Sequence, residues 1–208
     1  MSAPKVFISY YVPWRFELSF GPSGDAKRRQ ADSHSSAKPV DLDCGIQVRG
    51  SIDLVERHPS GHIRISDHKT GKANGEDGQI IAGGKSLQPA LYALVAEKLF
   101  HGELKVDCGR LYFCTSTGGF TEVIVPLDQY TRKSIAQLAA IVGEALDKPC
   151  LPAAPAEKQC AWCDYQPICG PYEEQRARRK PKEPLAPRRL EEKLYRHDAV
   201  LSERFRRR

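Results

Sequence analysis

GSIDLVERHPSGHIRISDHKTG, residues 50–71, decides the fold. It reads as the heart of a hairpin running from Gly45 to Lys69. In the first strand Ile46, Val48, Ile52 and Leu54 are expected on one face, and Gln47, Arg49, Ser51 and Asp53 on the other. His58-Pro59-Ser60-Gly61 supplies the turn. In the returning strand, side chains alternate with period two, so Ile63, Ile65, Asp67 and Lys69 share a face. A carboxylate and an ammonium two residues apart can then reach one reacting centre. Asp53, on the partner strand, is placed to meet Asp67 near the strand ends.

Working outward, residues 6–20 read as extended, and 21–43 as an exposed loop rich in Gly, Ser, Asp, Lys and Arg. A Gly-rich connection over 70–84 leads to a helix from Ser86 to Phe100, with Leu87, Leu91, Leu94 and Val95 as its core stripe. LYFCTS (111–116) reads as a strand, and Thr117-Gly118-Gly119 turns into a further strand, FTEVIV. A second helix is expected over 127–147, with Ile135, Leu138, Ile141, Val142 and Leu146 at core spacing. The order strand, strand, helix, strand, strand, helix predicts an α/β or α+β domain with a mixed sheet flanked by helices. Three segments follow: a core over 1–148, a cysteine segment over 149–170, and a basic tail over 171–208 that ends in an amphipathic helix bearing Leu190, Leu194, Leu201 and Phe205.

The net charge of +6 is uneven. Residues 1–170 hold 19 Lys/Arg against 19 Asp/Glu, whereas 171–208 hold 13 against 7. A tail of this kind suits a polyanion, since neutralised phosphates release counterions; it also suits a solvated surface extension. No run of about 18 apolar residues is present, which argues against a membrane span. MSAPKVFISYYVPWRFE lacks the pattern of a signal peptide, so the cytoplasm is the expected compartment.

Two oxygen ligands such as Asp53 and Asp67 suit Mg²⁺ or Mn²⁺. A cation there polarises a phosphoryl group, and Lys69 would orient a water and stabilise developing charge. Taken alone, the D-x-K triplet reads more readily as a cross-strand salt bridge on a solvated face, by about three to one. The wider string is Gly50-Ser-Ile-Asp53, then Asp67-His-Lys69-Thr-Gly71, then Leu87-Gln88-Pro-Ala-Leu-Tyr92. Over residues 14–180 it resembles the RecB-like branch of the PD-(D/E)XK nuclease superfamily. The likeness is nearest to the nuclease domains of AddB-type helicase–nuclease subunits and to CRISPR adaptation nucleases. The resemblance implies a restriction-endonuclease-like core and a metal-dependent deoxyribonuclease. Its metal ligands would be Asp53, Asp67 and the carbonyl of His68. Lys69 would be catalytic, and Gln88 and Tyr92, at i and i+4 on one helical face, would position the site or the strand. DNA would be the substrate, and a helicase the partner, in repair or recombination. The family usually adds a His or Glu on a helix upstream of the G-x-I-D strand. Here Glu17 and His34 are the nearby candidates, Glu17 within an E-x-x-F-G-like strand, and the chain is expected to be N-terminally truncated or part of a larger nuclease domain. Other expected readings are an inactive DNA-binding or scaffold remnant and a zinc-binding interaction module.

Seven cysteines, four of them within 150–169, do not suggest a secreted disulfide framework. Cys160, Cys163 and Cys169 have C-x2-C-x5-C spacing, which suits either zinc or an iron–sulfur cluster. The same resemblance implies a structural [4Fe–4S] cluster whose fourth cysteine lies far upstream; Cys150 and Cys44 do not occupy that place. Cys108 and Cys114 read as small hydrophobes on or beside a strand.

Overall fold

In a computed structural model of the chain, the described residues are 10–21, 32–73, 80–148, 153, 155 and 158–179. They form two compact units that divide between Ala139 and Ala140. The predicted tail helix lies outside the described residues.

The first unit is built on a five-stranded mixed sheet, as the sequence pattern predicts. Its strands are β1 (Val12–Phe20), β4 (Gly50–Arg57), β5 (Ile63–Lys69), β6 (Val106–Phe113) and β7 (Glu122–Pro126), in the order β1-β4-β5-β6-β7. Neighbours run antiparallel except β5 and β6, which are parallel. A parallel pair needs a crossover, and α1 (Gln88–Leu99) provides it. The β4–β5 hairpin closes through His58–Gly61, where Gly61 takes φ +89 and its N–H donates to the His58 carbonyl.

The long first strand of the expected hairpin is broken. β3 (Ile46–Val48) leaves the main sheet to pair with β2 (Val40–Leu42), and β4 starts only at Gly50. β6 begins five residues earlier than expected and ends three earlier.

Helix α1 buries Pro89, Ala90, Ala93, Val95 and Ala96 rather than the expected leucine stripe, of which only Val95 is fully buried. The cause is a close approach. A Cβ on Gly109 of β6 would lie 2.0 Å from the Pro89 carbonyl oxygen, so the helix rests directly on the sheet and small residues must face it. In α2 (Gln129–Asp147) the first turns bury Thr131, Ile135 and Ala139, an i, i+4 stripe, whereas Val142 and Leu146 are exposed. No helix among the described residues is long and apolar enough to cross a membrane.

The sheet face away from α1 carries charge. Glu56, Arg64, Ser66 and Arg110 are all buried. Arg64 grips the Glu56 carboxylate with Nε at 2.7 Å and Nη2 at 3.0 Å. Arg110 reaches Glu56 with Nη2 at 3.0 Å, Ser66 Oγ with Nε at 2.8 Å and Glu122 with Nη1 at 2.7 Å. Ser66 Oγ completes the set by donating to Glu56 at 2.5 Å. Burial opposes the charge on Glu56, but Arg64, Ser66 and Arg110 outweigh it and hold the carboxyl below its ordinary range.

Glu56→Gln should therefore destabilise the protein by about 3–5 kcal/mol at neutral pH, because two buried guanidiniums lose their counter-charge. With its folded pKa lowered, Glu56 contributes fully above the unfolded value of 4.5, and that contribution fades as pH falls through the lower folded value. Urea unfolding of both proteins should show the gap closing below about pH 4.

Candidate active site

The β4–β5 ladder pairs Arg57 through Leu54 with Ile63 through Ser66 and goes no further. The next opposed positions are Asp53 and Asp67. There β5 stays with β6 as far as Lys69, while Asp53 turns its carboxylate onto the freed backbone: Oδ2 accepts the His68 N–H at 2.9 Å. The His68 ring nitrogen Nδ1 lies 3.9 Å from the same oxygen.

Asp67 and Lys69 do share a face. Lys69 Nζ sits 2.5 Å from Asp67 Oδ2 and donates to Gln88 Oε1 at 2.6 Å. Gln88 is the first residue of α1, so the crossover helix delivers it to the end of β5. The Lys69 carbonyl accepts the Cys114 N–H at 3.0 Å, and the Cys114 thiol lies 3.6 Å from that oxygen. Lysine is thereby fixed at both backbone and tip.

The two carboxylates differ. Asp53 is 38% exposed at its side chain and Asp67 only 7%. Buried Asp67 Oδ2 has the Lys69 ammonium as its charged partner. Two carboxylates at successive opposed positions of β4 and β5, one buried and one partly exposed, are hard oxygen donors of the kind that suit a divalent cation. No three His, Cys, Asp or Glu side chains among the described residues converge closely enough to cage one.

Tyr92 lies one turn beyond Gln88 on α1. Its ring packs edge-on against Phe20 at 5.9 Å, and its hydroxyl fills the space beside Gly50, 3.3 Å from where a Cβ would stand. It shares the helical face of Gln88 but touches neither carboxylate nor Lys69. His34 is elsewhere: it packs on Trp14 and on Phe100, the residue that ends α1. A cavity of about 720 Å³ lies beside it, lined in part by Trp14, Arg57 and Phe100, and includes none of Asp53, Asp67 or Lys69. The carboxylate–lysine site lies at the end of the central strand β5, apart from that cavity.

In the second unit Cys160 lies within a single 3₁₀ turn (Gln159–Trp162), Cys163 caps its end, and Cys169 ends the short α3 (Gln166–Cys169). Cys160 is buried, the other two exposed. Burial pushes the Cys160 thiol up, with Glu174 and Glu173 adding to the effect. The three thiols do not converge on one point, an arrangement that does not by itself fit a cluster. Burial on the first unit's sheet drives the Cys108 thiol to about 12, as expected of an inert small hydrophobe.

Sequence reasoning missed the backbone role of Asp53 and the anchoring contact of Cys114. Asp53→Ala should cost about 1 kcal/mol, the discount reflecting its exposure, whereas Asp53→Asn keeps an acceptor for His68 and should cost less than half of that. Thermal unfolding of the two variants side by side checks this.

A family model for the PD-(D/E)XK nuclease superfamily matches residues 9–170. Among curated proteins, a CRISPR-associated exonuclease Cas4/endonuclease Cas1 fusion of Myxococcus xanthus (strain DK1622) is 30% identical over 131 residues, covering 61% of this chain and 22% of that protein. The Gene 69 protein of Mycobacterium phage D29 is 29% identical over 132 residues, covering 62% and 45% respectively. The chain thus spans less than half the length of each of these relatives.

Proposed function

We propose that this chain, which belongs to the PD-(D/E)XK nuclease superfamily, is a metal-dependent deoxyribonuclease that hydrolyses phosphodiester bonds. The observation that carries the reading is Lys69 Nζ, held between Asp67 Oδ2 and Gln88 Oε1 at the point where two strands part. Asp53, Asp67 and the His68 carbonyl are the groups that would hold Mg²⁺ or Mn²⁺. When bound, such a cation polarises the phosphoryl oxygens and lowers the pKa of water. Lys69 then orients the attacking water and stabilises charge that develops on the phosphate. Gln88 fixes the direction of Nζ, and Tyr92 backs the helix face that carries it. The basic tail over 171–208 supplies a sequence-independent hold on DNA.

The finer assignment is to the RecB-like branch, near the AddB-type nuclease domains, working beside a helicase in DNA repair or recombination. Its support is the combination of Gly50-Ser-Ile-Asp53, Asp67-His-Lys69-Thr-Gly71 and Gln88-Pro-Ala-Leu-Tyr92 in one chain. A second reading, a DNA-binding remnant without activity, draws on the absence of three convergent ligands among the described residues.

Asp67→Ala and Lys69→Ala should each reduce Mg²⁺-dependent cleavage of linear single- or double-stranded DNA by about a hundredfold or more, with salt-sensitive binding retained. Equal cleavage by both variants and the parent defeats the nuclease reading, and DNA binding without cleavage by the parent selects the remnant.

The spacing of Cys160, Cys163 and Cys169 supports a structural [4Fe–4S] cluster, with zinc as the alternative, and no catalytic step runs through it. Chain purified without oxygen should be brown and absorb near about 400 nm, and Cys163→Ser should lose the colour. A colourless protein containing zinc decides for zinc, since Zn²⁺ is d¹⁰.

A further inference from the structure

The cavity of about 720 Å³ beside His34 takes no part in the site described above. Its volume falls among those of small-molecule pockets, about 300–1,000 Å³. Three rings meet on its wall. Trp14 and Phe100 lie 5.3 Å apart with their planes at 34°, and His34 lies 5.4 Å from Phe100 and 6.2 Å from Trp14. Phe100 is buried, Trp14 half-buried and His34 exposed, so the cluster is anchored in the core yet keeps ring surface open. Asp32 fixes His34 twice, taking its backbone N–H at 2.9 Å and lying 3.3 Å from its ring Nδ1. A ring held in advance loses little freedom when something stacks on it.

The charges of the lining say what that something is. Arg57 and Lys98 are set against Asp41 and Glu103, and Lys98 Nζ is already taken by Asp43 at 2.6 Å. A free anion finds no positive pocket here. A flat, uncharged ring finds aromatic surface to stack on and carboxylates that can accept its N–H groups. Arg57 is exposed, and its guanidinium lies over the Trp14 ring, 5.3 Å from the centroid. A guanidinium stacked in this way keeps its outer N–H groups for a phosphate. A stacking ring with a phosphate at its margin is a nucleotide.

The cavity is also placed for a strand. Arg57 and Asp53 share a face of β4, four residues and about 13 Å apart. Helix α1 spans a similar interval, about 18 Å over its 12 residues, with Gln88 at the carboxylate–lysine site and Phe100 at the cavity. At about 3.4 Å per stacked nucleotide, four or five nucleotides bridge the two. We infer that this cavity holds a base of single-stranded DNA while the carboxylate–lysine site engages the same strand. The choice of ligand rests on the deoxyribonuclease reading above.

Binding is measured on the full chain in EDTA, so that no strand is cut. The chain has two tryptophans, and Trp162 is 86% exposed, so Trp162→Phe leaves Trp14 as the sole indole with little disturbance of packing. In that background an oligodeoxyadenylate of about ten nucleotides should quench Trp14 emission. His34→Ala and Arg57→Ala should each weaken binding about fivefold or more, with the melting temperature unchanged. An oligonucleotide that binds by the anisotropy of an end label without quenching Trp14 overturns the inference and leaves the nuclease reading standing, as does undiminished affinity in both variants. Quenching by free dAMP at the same concentration as by the strand overturns the strand as occupant. A chain that binds no DNA by either signal overturns both readings.

Discussion

Glu56 is the tie on which this sheet depends. One carboxylate receives two guanidiniums and a hydroxyl, and through Arg110 the network continues to Glu122. Residues from β4, β5, β6 and β7 are thereby joined on a single face. Ion groups removed from water recover little net energy, because desolvation consumes most of the attraction. Their effect here is selective. A one-residue slip of β5 against β4 would turn Arg64 and Ser66 to the other face and leave Glu56 buried without a partner. The network thus specifies register, and register decides which residues stand opposite one another at Asp53 and Asp67.

Much of this was legible in the sequence. The turn at 58–61 and the shared face of Asp67 and Lys69 follow from period two alone, and Gln88 at the head of the crossover helix follows from the pattern after Gly84. The ionic network was not legible, because strand alternation identifies faces but not the charges that a sheet will bury. The leucine stripe of α1 failed for a different reason. Gly109 lets the helix approach β6 so closely that alanines and Pro89 replace leucines at the contact. The break after Val48 has a similar origin: Gly50 makes room for the Tyr92 hydroxyl and the Phe20 ring, and the strand that looked continuous serves two sheets.

The two sheet faces divide the labour. One face holds the pairing together through Glu56, Arg64 and Arg110. The other packs α1 and ends in Asp67, Lys69 and Gln88. Since β5 supplies Arg64 and Ser66 to the first and Asp67 and Lys69 to the second, the same seven residues fix the fold and contribute to the candidate site. Their alternation explains why the family signature is so short: D-x-K needs only one strand end, provided something else holds that strand in place.

The strand end also has to be open. Were the β4–β5 ladder to continue past Leu54 and Ser66, the His68 N–H would be consumed by a strand backbone. The ladder instead stops, and Asp53 itself takes that N–H. A backbone donor on a carboxylate spreads its charge and fixes its direction. The site is therefore a programmed failure of strand pairing, held open by Asp53 on one side, by the parallel partner β6 on the other, and by Gln88 above. In this sheet the pairing of β4 with β5 ends where both carboxylates and the lysine stand.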